Sequence, residues 1–205
     1  MAATPSPSDA PIRQQLQGLN LYLIGLMGSG KSATGQAIAQ RLQYRFFDTD
    51  TLIERIVGKA IATIFAEDGE ATFRQIEQQT LGQLAAYQRS VVATGGGIIL
   101  ERNNWSALRQ GVIIWLDVPI PQIYQRLMAD PAEIAQRPLL QTPDPQAALE
   151  TLHRQRRHLY EQADLRLIPD PTDTADTVAD RVLAALPTAL RDPSDRPVPP
   201  DPTQN

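Results

Sequence analysis

The chain has 205 residues, of which 19 are basic and 23 acidic, so its formal net charge is −4, and it contains no cysteine. The acidic balance argues against a nucleic-acid partner, because proteins that bind nucleic acid usually present a basic surface to the phosphates. Without cysteine there are no disulfides or thiolate–metal sites, and no apolar run approaches the roughly 20 residues that cross a bilayer, so we expect a cytoplasmic protein without a membrane partner.

Short apolar segments rich in branched or aromatic side chains predict five strands. In chain order these segments are 19–24, 44–47, 90–94, 111–117 and 165–168. Helical patterns over 31–43 and 71–87 lie between them. Because parallel strands need crossover connections, the alternation predicts an α/β fold with three layers, α/β/α, around a five-stranded parallel sheet.

The length of the chain suits a single domain. Residues 1–17 and 191–205 are rich in proline and small or polar residues, and they bury too little surface to offset the entropy lost on ordering. We therefore predict two mobile tails and one folded domain over 18–190.

The segment between the first predicted strand and the first predicted helix reads GLMGSGKS (25–32) and satisfies the motif G-x-x-x-x-G-K-[ST]. Its glycines let backbone N–H groups point at a phosphate, and the helix N-terminus adds partial positive charge. Lys31 is one of only two lysines in the chain, and its compact ammonium suits the β- and γ-phosphates better than a planar guanidinium. The motif predicts an ATP site with Mg²⁺ on the Ser32 hydroxyl, formed by Gly28, Ser29, Gly30, Lys31, Ser32 and the adjacent Ala33.

Two further features fall at the ends of predicted strands, where ligands collect in open parallel sheets. Asp48 and Asp50 follow the second strand, and phosphoryl transfer from MgATP needs one acid for the metal and one for the attacking hydroxyl. The competing interpretation is N-capping of a helix, a common role of aspartate. Gly95, Gly96 and Gly97 follow the third strand, and three glycines are more than a turn needs, so we predict close backbone approach by a ligand.

These motifs make the chain similar to the shikimate kinase family, within the nucleoside monophosphate kinase-like P-loop proteins. The resemblance runs from about residue 21 to residue 186. It includes the pattern DTDTLIERIVGKAIATIFAEDGEATFRQIE (48–77), followed in the family's order by ATGGGIIL, RPLL and RRHLY. The resemblance implies a P-loop kinase fold and an ATP-dependent kinase of aromatic amino acid biosynthesis that converts shikimate to shikimate 3-phosphate.

The resemblance also implies roles for residues at the acceptor end of the site. Asp48 would help to organise Mg²⁺ through water, and Asp50 would hold the shikimate hydroxyls and assist deprotonation of the one attacked. Arg74 and Arg156 would grip the shikimate carboxylate, to which guanidinium groups bind in two-point fashion. The glycines at 95–97 would bring backbone close to the substrate.

At the nucleotide end, the resemblance implies a lid over about 126–145. Arg137, in RPLL, would approach the transferring phosphate and act with Lys31 and Asp50 in catalysis, while Arg126 would stack on adenine.

Two alternative functions stay open, another small-molecule kinase such as gluconate kinase and a non-catalytic nucleotide-binding module. One chain supplies every element of the site, so we expect a monomer.

Overall fold

The computed structural model describes residues 9–129, 140 and 142–190 of the chain. They contain five strands, β1 Leu21–Ile24, β2 Arg45–Asp48, β3 Ser90–Ala93, β4 Val112–Leu116 and β5 Leu165–Leu167. The strands form one parallel sheet in the order β2-β3-β1-β4-β5. The predicted fold class is therefore confirmed, and each predicted strand overlaps an observed one.

Helices connect the strands in the described part of the chain. They are α1 Asp9–Leu16, α2 Lys31–Leu42, α3 Thr49–Val57, α4 Ile61–Glu67, α5 Gly69–Ala85, α6 Arg102–Leu108, α7 Ile120–Met128, α8 Pro145–Tyr160 and α9 Ala175–Ala189, with a short 3₁₀ helix at Ile98–Leu100. Both helical patterns predicted from the sequence correspond to observed helices, α2 and α5.

The two faces of the sheet bury separate hydrophobic clusters. In β1, Leu21 and Leu23 face the cluster formed with α1, α2 and α9, whereas Tyr22 and Ile24 face the cluster formed with α5 to α8. Because both faces are covered, the central strands β1 and β4 are continuously apolar, as is typical of parallel sheets. Ile53, Ile64 and Phe73 make a third, smaller cluster among α3, α4 and α5.

The structure differs from the expected N-terminal boundary. We predicted a mobile tail through residue 17, but Asp9–Leu16 is a helix. Ile12 and Leu16 lie four residues apart on one helical face and are buried in the cluster with α2 and α9. Burial of these two side chains offsets the entropy lost on ordering this short segment. Residues 1–8 and 191–205 lie outside the described residues.

All five strands end at one edge of the sheet, the carboxyl edge, because the sheet is parallel. The segments that follow β1, β2 and β3 at this edge are the glycine-rich loop, the two aspartates and the three consecutive glycines. Of the predicted lid, residues 130–139 and 141 lie outside the described residues. Within the described ranges no helix has the length and apolar character of a membrane span.

Candidate active site

The glycine-rich loop passes from β1 into α2 at the centre of the sheet. Gly30 caps α2 with a left-handed backbone, φ 85°, and without a side-chain cap. A residue with a Cβ would be strained in this conformation. Because no side chain caps the helix, the first backbone N–H groups of α2 are open to an anion. The backbone of the loop is therefore compatible with the predicted phosphate cradle.

Lys31 is folded over this cradle rather than pointing into solvent. Its residue is only 9% exposed, and Nζ donates hydrogen bonds to the carbonyl oxygens of Gly25 at 2.9 Å and Leu26 at 2.8 Å. Both acceptors are neutral. Phosphate oxygens, being charged, are stronger acceptors for an ammonium group, so the lysine is placed to transfer its hydrogen bonds to a phosphate.

Asp48 connects the cradle with α3, and its two carboxylate oxygens have different partners. Oδ2 accepts a hydrogen bond from Ser32 Oγ at 2.5 Å. Oδ1 accepts from the backbone N–H groups of Asp50 at 3.1 Å and Thr51 at 3.3 Å, which makes Asp48 the N-cap of α3. Asp48 thus caps α3 and also contacts Ser32.

The oxygens of Ser32 and Asp48 fit Mg²⁺, which is commonly held in kinases by one or two protein oxygens together with phosphate and water. Among the described residues no group of three or more histidine, aspartate and glutamate side chains could hold a metal ion. An ion beside Ser32 would therefore take most of its ligands from phosphate and water.

The three glycines after β3 are surrounded by charged side chains. A Cβ at Gly95 would lie 2.5 Å from Asp50 Oδ1 and 3.1 Å from Glu77 Oε1, and a Cβ at Gly97 would lie 2.8 Å from Arg74 Cζ. These glycines therefore make room for side chains of the protein itself. Close approach by a ligand, which we predicted for these glycines, stays a prediction, because the atoms beside them belong to Asp50, Glu77 and Arg74.

Arg74 is held between two glutamates of α5. Its Nη1 donates to Glu77 Oε2 at 2.8 Å, and its Nη2 donates to Glu70 Oε1 at 3.0 Å. The Glu77 side chain is only 1% exposed, whereas that of Glu70 is 66% exposed. An exposed ion pair contributes little free energy, so the bond to Glu70 can yield to another carboxylate while Glu77 keeps the guanidinium in place.

Burial dominates the electrostatics of Glu77. Loss of hydration raises the pKa of this carboxyl group, while the positive charge of Arg74 opposes the rise. Negative charge on the nearby Asp50 adds to the rise in the pKa. Glu77 therefore interacts electrostatically with Asp50 as well as forming an ion pair with Arg74.

Arg156 reaches the same glycine turn from α8. Its Nη1 donates to the carbonyl oxygen of Gly96 at 2.9 Å. The buried Tyr160 hydroxyl lies 3.5 Å from that oxygen, and its ring stacks on Trp115 with centroids 5.5 Å apart. Burial raises the pKa of Tyr160 to about 12, despite the opposing effect of Arg156, so the phenol is neutral at ordinary pH. Arg74 and Arg156 thus contact neighbouring residues of one turn.

Of the remaining predicted site residues, three lie at the nucleotide end of the site and one lies outside the described residues. Arg126 lies on α7 with Nη1 3.5 Å from the carbonyl oxygen of Gly28, so it borders the cradle. Ser29 is buried in the loop, whereas Ala33 is exposed on the first turn of α2. Arg137 lies outside the described residues.

Sequence reasoning assigned no role to two residues that build the site. Thr49 is fully buried, and its Oγ1 accepts a hydrogen bond from the Gly95 N–H at 2.8 Å, which ties the start of α3 to the glycine turn. Glu77 anchors Arg74 from three positions further along the same helix. That i,i+3 spacing of opposite charges was the signal available for Glu77, whereas nothing local in the sequence marked Thr49.

A phosphate cradle at the carboxyl edge of a parallel sheet, beside carboxylates and two arginines, defines a P-loop kinase that acts on a small molecule. The sequence profile of the shikimate kinase family matches residues 27–187. The chain belongs to the shikimate kinase family.

Individual relatives are similar to this protein over most of the length of the chain. It is 50% identical to a shikimate kinase of Microcystis aeruginosa over 177 residues, covering 86% of this chain and 91% of the relative. A shikimate kinase of Synechococcus elongatus is 49% identical over 180 residues, with 88% and 93% covered. The solved shikimate kinase from Acinetobacter baumannii in complex with shikimate has a TM-score of 0.79 and 33% identity, covering 87% of this chain and 98% of that one.

Proposed function

We propose that the chain transfers the γ-phosphate of ATP to the 3-hydroxyl of shikimate, giving shikimate 3-phosphate and ADP. The observation that carries this proposal is the convergence of Asp50, Arg74 and Arg156 on the glycine turn beside the phosphate cradle. Shikimate is a ring with several hydroxyls and one carboxylate, so its site needs a hydroxyl acceptor and guanidinium donors in one place.

At the acceptor end, Arg74 and Arg156 bind the carboxylate. Glu77 stays hydrogen-bonded to one edge of the Arg74 guanidinium. At the other edge, the substrate carboxylate replaces the exposed Glu70 as the hydrogen-bond acceptor. Asp50 accepts hydrogen bonds from the ring hydroxyls and takes the proton from the attacking one, as a carboxylate does in comparable kinases. The backbone of 95–97 forms the floor of this region.

At the nucleotide end, the loop N–H groups and Lys31 bind the β- and γ-phosphates. Ser32 would hold Mg²⁺ with its hydroxyl, and Asp48 would help to orient the ion through water. When bound, the ion neutralises charge on the phosphates as the transfer proceeds. The contact of Arg126 with the cradle supports its assignment to the adenine side of the nucleotide.

The resemblance to the family supports a lid over about 126–145 that brings Arg137 to the transferring phosphate. Closure would exclude water, which otherwise competes with the acceptor for the phosphoryl group. We further propose that the enzyme acts as a monomer in the cytoplasm, within aromatic amino acid biosynthesis. A site built from one chain supports the monomer.

A coupled assay of ADP release with shikimate, gluconate and AMP as separate acceptors tests the proposed function. We expect turnover with shikimate and only background release with the other two. The Asp50→Asn variant is the matched control, because it keeps the size of the side chain and removes the carboxylate. Turnover with gluconate or AMP equal to that with shikimate would overturn the assignment.

A further inference from the structure

A cavity lies at the edge of the sheet opposite the active site. Its volume is about 540 Å³, and we call it the amino-edge cavity. It lies where α1 and α2 end and where the chain enters β1, β2 and β3. Its lining residues are Arg13, Gln14, Gln17, Gly18, Leu42, Gln43, Tyr44 and Arg89. They include two guanidinium groups and no carboxylate, in a chain whose net charge is −4.

We propose that the amino-edge cavity binds a small anion with a carboxylate or phosphate group through Arg13 and Arg89. Arg13 is held over the cavity by a hydrogen bond from its Nη1 to Gln43 Oε1 at 2.6 Å. Among the side chains of residues 11–129, 140 and 142–190, no carboxylate lies at ion-pair distance from Arg13 or from Arg89. Two such guanidinium groups form a site for an anion.

The backbone provides an independent observation. Among the described residues, three that are not glycine have a positive φ, namely Gln17 at 48°, Gln43 at 54° and Arg89 at 56°, and all three line this cavity. Glycine adopts the left-handed region at lower cost, especially after the end of a helix. The chain instead keeps three long polar side chains there. Local strain of this kind is concentrated at binding sites.

The ends of α1 and α2 carry partial negative charge, which opposes an anion in the cavity. Each helix end contributes about half an elementary charge, so the two full charges of Arg13 and Arg89 outweigh them. Several last-turn carbonyls are also capped by backbone N–H groups, including Leu16 O by Leu19 and Ala39 O by Tyr44. The net field in the cavity is therefore positive.

Tyr44 supplies a polar group that is not charged. Its hydroxyl is hydrogen-bonded to the backbone of Gly18, and burial raises the pKa of the phenol, although Arg89 and Arg13 oppose the rise. The phenol is thus neutral and can donate to a bound anion. With the glutamine amides, it gives the cavity partners for the hydroxyl groups of an organic carboxylate or phosphate ester as well.

Inorganic phosphate, added to the ¹⁵N-labelled full chain at constant ionic strength, tests this site by NMR. Saturation with ADP and shikimate fills the active site, and any phosphate that still enters it would shift residues of 25–32 instead. We expect saturable shifts at the amides of Gly18, Gln43 and Arg89. They should require at least about tenfold more phosphate in the variant Arg13→Gln/Arg89→Gln, because each lost charge-assisted bond weakens binding by about that factor or more.

The matched control, Arg45→Gln/Arg102→Gln, removes two exposed arginines that do not line the cavity and should keep the wild-type response. Its ADP-release activity and that of the first variant should both equal the wild type. If the double variant does not fold, each single substitution gives the same test. No saturable shift at the three amides, or an unchanged response after loss of Arg13 and Arg89, would overturn the proposal.

Discussion

The Arg74→Ala substitution tests the division of the site into acceptor and nucleotide ends. Arg74 lies beside Gly97 with its guanidinium between Glu70 and Glu77. The substitution removes one charge-assisted bond to the acceptor carboxylate. It leaves Lys31 and its carbonyl partners unchanged.

The expected loss of shikimate affinity follows from the strength of such a bond. A hydrogen bond to a charged group is worth about 1.5–3 kcal/mol, which corresponds to about 10- to 100-fold weaker binding. A second effect concerns stability, because Glu77 is fully buried and loses its partner. Breaking a buried pair costs about 3–5 kcal/mol of folding free energy, so Arg74→Ala/Glu77→Gln should recover part of the stability without recovering affinity.

Isothermal titration with shikimate and, separately, with ADP measures both ends of the site. We expect the loss for shikimate and a nearly unchanged affinity for ADP. Arg157→Ala is the matched control, since this exposed arginine of α8 pairs with Glu161 four residues further on and should leave both affinities unchanged. Equal losses for shikimate and ADP in Arg74→Ala would refute the acceptor-end assignment.

Substitutions at three residues test separate features. Lys31→Ala and Lys31→Arg should both lose most phosphoryl transfer while circular dichroism stays native, because the buried cradle takes a point charge; near-wild-type turnover of the arginine variant would contradict this. Glu77 has a raised pKa in the fold, so its contribution to stability is greatest below the ordinary value of 4.5 and is lost as pH rises through the raised value. The Glu77→Gln variant should accordingly gain stability relative to the wild type in urea unfolding as the pH rises above about 4.5, and an opposite trend would exclude the proposed cause. Leu16→Ala should cost about 2–5 kcal/mol of unfolding free energy if α1 is docked, whereas no measurable loss would show that it is not.

The sequence predicted those parts of the fold whose causes are local in the chain. Strands buried on both faces appear as continuous apolar runs, so β1 and β4 could be found directly. The cradle is equally local, because its glycines, Lys31 and Ser32 are adjacent and lie between a predicted strand and a predicted helix. Asp48 and Ser32 lie at the same edge of the sheet because parallel strands bring their carboxyl ends together.

What the sequence did not predict depends on contacts between distant segments. The bond from Gly95 to Thr49 joins residues 46 positions apart, and no pattern in either segment indicates it. The packing of Arg74 against Gly97 similarly depends on how α5 crosses the sheet edge. In α1, the surrounding prolines and small residues made the four-residue spacing of Ile12 and Leu16 hard to recognise. The stability that these two side chains contribute depends on the surface of α2 and α9 against which they pack.

The product formed from shikimate and MgATP tests the central claim most directly. After incubation with the purified chain, ³¹P NMR should show a phosphate monoester coupled to the ring proton at carbon 3, in amounts equal to the ADP released. The Asp50→Asn and Lys31→Ala variants should form little of it. Release of ADP without a phosphorylated ring, or a phosphate on a different hydroxyl, would contradict the proposed reaction.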